Sequence, residues 1–175
     1  FLDYALASSS LEGCTIRYGG ARQSVGYAGA NNGPLGSGDY GCLNVSAADL
    51  SLGSSKLSHC QYFGARIDSG EVIATSLEVG PTGGVGILHS GAGSLTIDGC
   101  KITNNAGRGI SVGADATLEL NACEIRDNGE RGVYANLATI TKTTFGGNAS
   151  FPVSLGAPSI AALVAGGSEN VFETN

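Results

Sequence analysis

The sequence predicts an all-β chain wound into a solenoid of short parallel strands. Three observations carry that prediction. "SLTIDGCKITNNAGRG" (Ser94 to Gly109) returns 23 residues later as "TLELNACEIRDNGERG" (Thr117 to Gly132). Glycine supplies 29 of 175 residues, well above average usage of about 7%, yet no Gly-X-Y period is present. Sustained helical periodicity is absent, and short alternating runs are punctuated by Gly, Asn and Asp.

Each element of the repeat follows in order. "GILH" from Gly86, "GISV" from Gly109, "GVYA" from Gly132 and "PVSL" from Pro152 align as the first strand of a coil. Within the Gly109 coil three extended runs follow one another: Ile110–Val112, Leu118–Leu120 and Cys123–Ile125. Because side chains alternate across a strand, Ile110, Val112, Leu118, Leu120, Cys123 and Ile125 can share one inward face. Three such strands per coil, each bonded to its equivalent in the next coil, bury a continuous core that no single coil could. Anchors at residues 14, 60, 100, 123, 143 and 163 mark the coils. The three later spacings suit one coil each. The first two read as one coil plus an insertion, placed at about 19–41 and 66–84, although extra irregular coils there would also fit.

Composition excludes several classes. Apolar residues make up 42% and charged residues 14%, which does not describe a disordered tail. The net charge is −6 with nine scattered cations, so no basic stripe tracks a nucleic-acid backbone. No apolar run approaches the length of a membrane-spanning helix. The chain starts at Phe1, and is expected to be one domain over 1–175, a piece of a longer protein.

These segments resemble the repeats of the right-handed parallel β-helix, the pectate-lyase-like superfold in its bacterial surface or secreted form. The resemblance covers most of Leu11 to Asn148 and implies about 5–7 coils of 20–23 residues with the two loop insertions. It says little about function, since one fold hosts many.

Stacking turns the alignment into a contact map, with equivalent residues roughly 4.8 Å apart. Cys14, Cys60, Cys100 and Cys123 form one column. They are read as buried small apolar residues, because Thr143 and Leu163 share the column; a thiol or disulfide ladder is the other reading. Five Cys cannot all pair; either some thiols are free, or one disulfide exists and three thiols remain. A Cys100–Cys123 bond needs particular Cβ directions. Asn105, Asn128 and Asn148 form a second column, read as a structural amide ladder.

Outward positions hold the surface chemistry. Lys101 stacks on Glu124. Arg108 stacks on Arg131, with Asp127 and Glu130 close enough in sequence to neutralise them; freed of those acids, the arginines would suit a carboxylate. Tyr134 points outward in a column with Leu88, Ser111 and Ser154, where an aromatic ring can stack on a sugar. Arg66, Asp68 and Glu71 make a polar cluster in the second insertion, and insertions are where solenoids place binding residues.

Catalytic signatures are missing. Polysaccharide-cleaving relatives of the superfold carry Asn-Thr-Asp, Asp-Asp, Gly-His-Gly and Arg-Ile-Lys segments, or a Trp motif with a carboxylate cluster; none occurs here. No nucleophile elbow, HExxH or P-loop is present. Two His and no CxxC argue against structural zinc, no cofactor is implied, and Ca²⁺ is not indicated. The expected role is therefore structural or adhesive, in a secreted or cell-surface protein that binds carbohydrate. The alternatives are a polysaccharide lyase or glycoside hydrolase, and a rod that associates end to end.

Overall fold

In Ala116–Asn121 burial alternates residue by residue, with Ala116, Leu118 and Leu120 inside and Thr117, Glu119 and Asn121 outside. That period-two pattern is what a strand with one covered face requires, and it recurs coil after coil. The computed structural model describes residues 9–17, 41–46, 49–156 and 169–173. The described strands form three parallel sheets in about five turns.

The first sheet contains β1 (Ser9–Glu12), β4 (Leu50–Gly53), β7 (Gly70–Thr75), β10 (Gly93–Asp98), β13 (Ala116–Asn121) and β16 (Leu137–Thr141). The second contains β2 (Thr15–Arg17), β5 (Lys56–Ser58), β8 (Glu78–Val79), β11 (Lys101–Thr103), β14 (Glu124–Arg126), β17 (Thr144–Gly146) and β19 (Val171–Phe172). The third contains β3 (Gly41–Val45), β6 (Phe63–Ile67), β9 (Ile87–His89), β12 (Ile110–Val112), β15 (Val133–Ala135) and β18 (Val153–Leu155).

Register is set by apolar columns. Ile87, Ile110, Val133 and Val153 pair in succession, as do Leu57, Val79, Ile102, Ile125 and Phe145. Side chains of this size contribute roughly 1.5–3 kcal/mol each when fully buried. A slip of one residue would turn every strand inside out, so the core enforces the stacking.

The corner between the first and second sheets is tight, and one residue there takes a positive φ in every coil. Gly13, Ser54, Ser76, Gly99, Ala122, Lys142 and Glu169 occupy it, with φ between 43° and 63°. The residue after it forms a hydrogen-bonded column. The backbone N–H of Cys14 donates to Ser55 Oγ at 3.1 Å, that of Leu77 to Cys100 Sγ at 3.2 Å and that of Cys100 to Cys123 Sγ at 3.4 Å. The N–H of Cys123 donates to Thr143 Oγ1 at 3.4 Å, and that of Thr143 to Asn170 Oδ1 at 2.9 Å. The column selects a side-chain acceptor, in Cys, Ser, Thr or Asn, and not merely a modest volume. Leu77 is the exception.

Three expectations are corrected here. Cys60 does not share the column of Cys14, Cys100 and Cys123; Ser55 and Leu77 stand in its place. Cys60 bridges to Thr82, and Thr82 to Asn105, which puts it on the asparagine column, and it is bonded to Cys42. Second, residues 66–84 are not a loop insertion but most of a regular coil, carrying β7, β8 and the end of β6. Both errors have one cause. Leu57 stacks on Val79 and Ile102, five residues out of phase with the alignment assumed, so the Cys60–Cys100 interval looked too long. Third, the 20-residue spacing stops after Thr143, because Thr144 pairs with Val171 and Asn170 follows in the column. Leu163 lies outside the described residues, as does the insertion at 19–41 apart from Gly41. The 41-residue offset between Cys14 and Ser55 brackets that insertion.

Candidate functional site

The outer face of the third sheet offers one side chain per strand: Asn44, Arg66, Leu88, Ser111, Tyr134 and Ser154 stack in that order. Three residues upstream of Ser111 and Tyr134 stand Arg108 and Arg131. The N–H of Gly109 donates to Arg131 O at 3.0 Å, and that of Gly132 to Phe151 O at 3.1 Å. Arg108, Arg131 and Phe151 are therefore vertical neighbours.

Close approach of these coils depends on glycine. A Cβ on Gly109 would sit 2.7 Å from Gly132 O and 2.9 Å from Asn128 Nδ2; on Gly132 it would sit 2.5 Å from Pro152 O and 3.1 Å from Asn148 Nδ2. The asparagine ladder packs directly behind. Asn105 Nδ2 donates to Asn128 Oδ1 and Asn128 Nδ2 to Asn148 Oδ1, both at 2.9 Å. Buried amides thus hold from inside the two coils that present the arginines outside.

At the surface the structure brings Arg108, Arg131 and Tyr134 together. Arg108 Cζ lies 4.6 Å from the Tyr134 ring centroid and Arg131 Cζ 5.3 Å from it, both within cation–π range. Arg108 is neutralised: its Nε lies 3.2 Å from Glu130 Oε2, and its Nη1 donates to Ser111 Oγ at 3.2 Å. Arg131 differs. Among the described residues no carboxylate lies within ion-pairing distance of it, and its Nε is buried without an acceptor. The expected neutralisation by Glu130 and Asp127 reaches Arg108 only, through Glu130. Tyr134 is 41% exposed and Phe151 63%. Phe151 was not singled out from the sequence, although aligning "PVSL" with "GVYA" already placed it under Arg131.

Arg66, Asp68 and Glu71 do not make one site. Arg66 Nε and Asp68 Oδ1 pair with each other at 3.0 Å. Glu71 lies around the corner on β7, where its backbone N–H donates to Asp49 Oδ1 at 3.0 Å.

The cysteines divide. Cys42 and Cys60 are disulfide-bonded, whereas Cys14, Cys100 and Cys123 are free. In Cys100 and Cys123 each Sγ faces the N–H of the preceding coil, a head-to-tail arrangement in which the thiols hydrogen-bond and do not cross-link. Hydrogen bonding to Cys100, with burial, pushes the Cys123 thiol up, while the same contact favours ionisation of Cys100. An open groove of about 430 Å³ lies over this corner, rimmed by Lys101, Glu124, Arg126 and Lys142. There Glu124 pairs with Lys101 and Glu173 with Arg126. Among the described residues no group of three or more His, Cys, Asp or Glu could hold a metal ion.

With sheets, ladders and register in view, comparison with known families is decisive. Residues 41–175 match the description "Right handed beta helix region". The chain belongs to the right-handed β-helix family. Among curated proteins, none matches it. Membership of the β-helix family fixes the coil architecture and leaves the ligand to the side chains.

Proposed function

We propose that this β-helix domain serves a structural or adhesive role in a secreted or cell-surface protein, and that it binds carbohydrate at Tyr134, Arg108, Arg131 and Phe151. The observation that carries the reading is the half-exposed Tyr134 ring held beside two guanidiniums, with Phe151 under Arg131. Aromatic faces cover the C–H surface of a pyranose, and the arginines supply polar partners at its edge. The Cys42–Cys60 disulfide supports the location, since such bonds persist in oxidising compartments.

A glycan array followed by calorimetry tests the proposal. Wild-type protein binds at least one glycan class, and Tyr134→Ala weakens binding about tenfold or more while leaving the melting temperature within a degree. A Tyr134→Ala variant that binds equally well would remove the site. Incubation with the bound glycan and assay for new reducing ends or unsaturated products separates adhesion from catalysis; turnover would overturn the adhesive reading.

A further inference from the structure

We infer that the glycan bound at this face carries an isolated oxyanion, a carboxylate or sulfate ester on a single sugar flanked by neutral ones, and that Arg131 receives it. The inference rests on the carbohydrate reading above and narrows its ligand.

Charge beside Tyr134 on the third sheet does not balance. Of the two guanidiniums beside Tyr134, Arg108 is matched by Glu130. Arg131 has no carboxylate within ion-pairing distance among the described residues and a buried Nε without an acceptor. An unmatched guanidinium fixed against an aromatic ring is a ready partner for a planar or tetrahedral oxyanion, which it can bind bidentately. The Tyr134 contact orders the side chain before a ligand arrives.

Charge does not repeat on either side. Going up the column from Tyr134 the outward residues are Ser111 and Leu88, and going down it is Ser154. Arg66, further up, is matched by Asp68. Coils rise by roughly 4.8 Å, close to the length of one pyranose. A chain lying along the sheet would set about one sugar on each coil, and a homopolymer of acidic sugars would carry neighbouring charges past Glu130 and towards Asp68. The overall charge of −6 disfavours a polyanion further. One acidic residue among neutral ones fits a single unmatched cation.

The test compares four tetrasaccharide probes by calorimetry in low salt: a neutral cello-oligosaccharide, the same scaffold with one glucuronate, the same with one sulfate ester, and tetragalacturonate. The singly acidic probes bind at least fivefold more tightly than the neutral one, and tetragalacturonate gains nothing over them. The carboxylate and sulfate arms separate the two oxyanions. Arg131→Gln removes the preference, bringing the affinities for the neutral and singly acidic probes within about twofold of each other, Arg131→Lys restores part of it, and Arg66→Ala leaves the preference intact. If the neutral probe binds through Tyr134 with no acidic preference, the inference fails and the carbohydrate reading stands. If tetragalacturonate binds several-fold tighter than the singly acidic probes, the isolated-charge claim fails. If no glycan binds, the carbohydrate reading fails and takes this inference with it.

Discussion

Asn128 Oδ1 accepts two hydrogen bonds from Asn105, one from its backbone N–H at 3.2 Å and one from its side-chain amide at 2.9 Å. Asn128 Nδ2 in turn donates to Asn148 Oδ1 and to Ile102 O at 3.2 Å. One buried side chain therefore satisfies groups on the coil before its own and on the coil after it.

Replacing it exposes that dependence. Asn128→Ala strands the N–H of Asn105 and Ile102 O in a site closed to water, and a buried polar group left unpaired costs about 1–3 kcal/mol. The variant is expected to lose stability in that range, measured by denaturant melt at unchanged m-value. A loss of only a few tenths would mean the amide ladder holds nothing.

The upper end of the ladder is unfinished. Thr82 occupies the rung above Asn105 and turns its hydroxyl to Gly84 O at 3.1 Å, leaving Asn105 Oδ1 buried without a donor. Thr82→Asn places an amide donor over that oxygen. A gain of about 1 kcal/mol is expected from the new bond. The same gain in an Asn105→Ala background would show that it does not come from the ladder.

Much of this was legible because stacking converts sequence spacing into adjacency. Ile87, Ile110, Val133 and Val153 keep one phase over four coils, so the third sheet was readable, and with it the meeting of Arg108, Arg131 and Tyr134. What misled was degeneracy. Each coil offers apolar–x–apolar runs at more than one corner, and Cys occurs at two different corners, so Leu57 and Cys60 could be aligned five residues out of phase. The hydrogen-bonding column hid a common role behind different residues, since Ser55, Cys100, Thr143 and Asn170 are alike only in presenting an acceptor. The Cys42–Cys60 bond joins a strand to a corner one coil-segment later, and no column of equivalent residues contains both.

A third prediction concerns the corner residue of positive φ. Ala122 has φ 52°, where Gly99 in the preceding coil has φ 61°. A side chain in the left-handed region costs roughly 1–2 kcal/mol, part of which is recovered by the stiffer unfolded chain. Ala122→Gly is expected to stabilise by about 0.5–1 kcal/mol in a thermal or denaturant melt. Destabilisation would mean that packing of the methyl outweighs the backbone strain.

The second sheet carries a column of alternating charge: Lys56, Glu78, Lys101 and Glu124. Lys56 Nζ lies 2.6 Å from Glu78 Oε2 and Lys101 Nζ 3.5 Å from Glu124 Oε2. The hydrogen bond and charge of Lys56, with a smaller contribution from Lys101, hold the Glu78 carboxyl below its ordinary value. A carboxylate depressed in the folded state stabilises above its unfolded pKa, and the benefit disappears as pH falls through the folded one. Because the pair is exposed, the effect is under about 1 kcal/mol. Glu78→Gln should therefore cost a few tenths at neutral pH in low salt, and nothing below the carboxylate range or in 1 M salt. A cost independent of both pH and salt would show that Glu78 acts through packing.

The disulfide yields the last prediction. It closes an 18-residue separation between Cys42 on β3 and Cys60 at the corner beyond β5, and so ties the start of the third sheet to the coil that follows. Cross-linking a loop of this length removes unfolded-chain entropy amounting to roughly 3 kcal/mol. Cys42→Ala/Cys60→Ala is expected to lose 2–4 kcal/mol, and reductant should lower the melting temperature of the wild type but not of the double variant. The other thiols give an independent check. Denatured without reductant, the chain should titrate three thiols, from Cys14, Cys100 and Cys123, and after reduction five. A count of one before reduction would mean that Cys100 and Cys123 had joined, against the head-to-tail direction in which their sulfurs face the coils above.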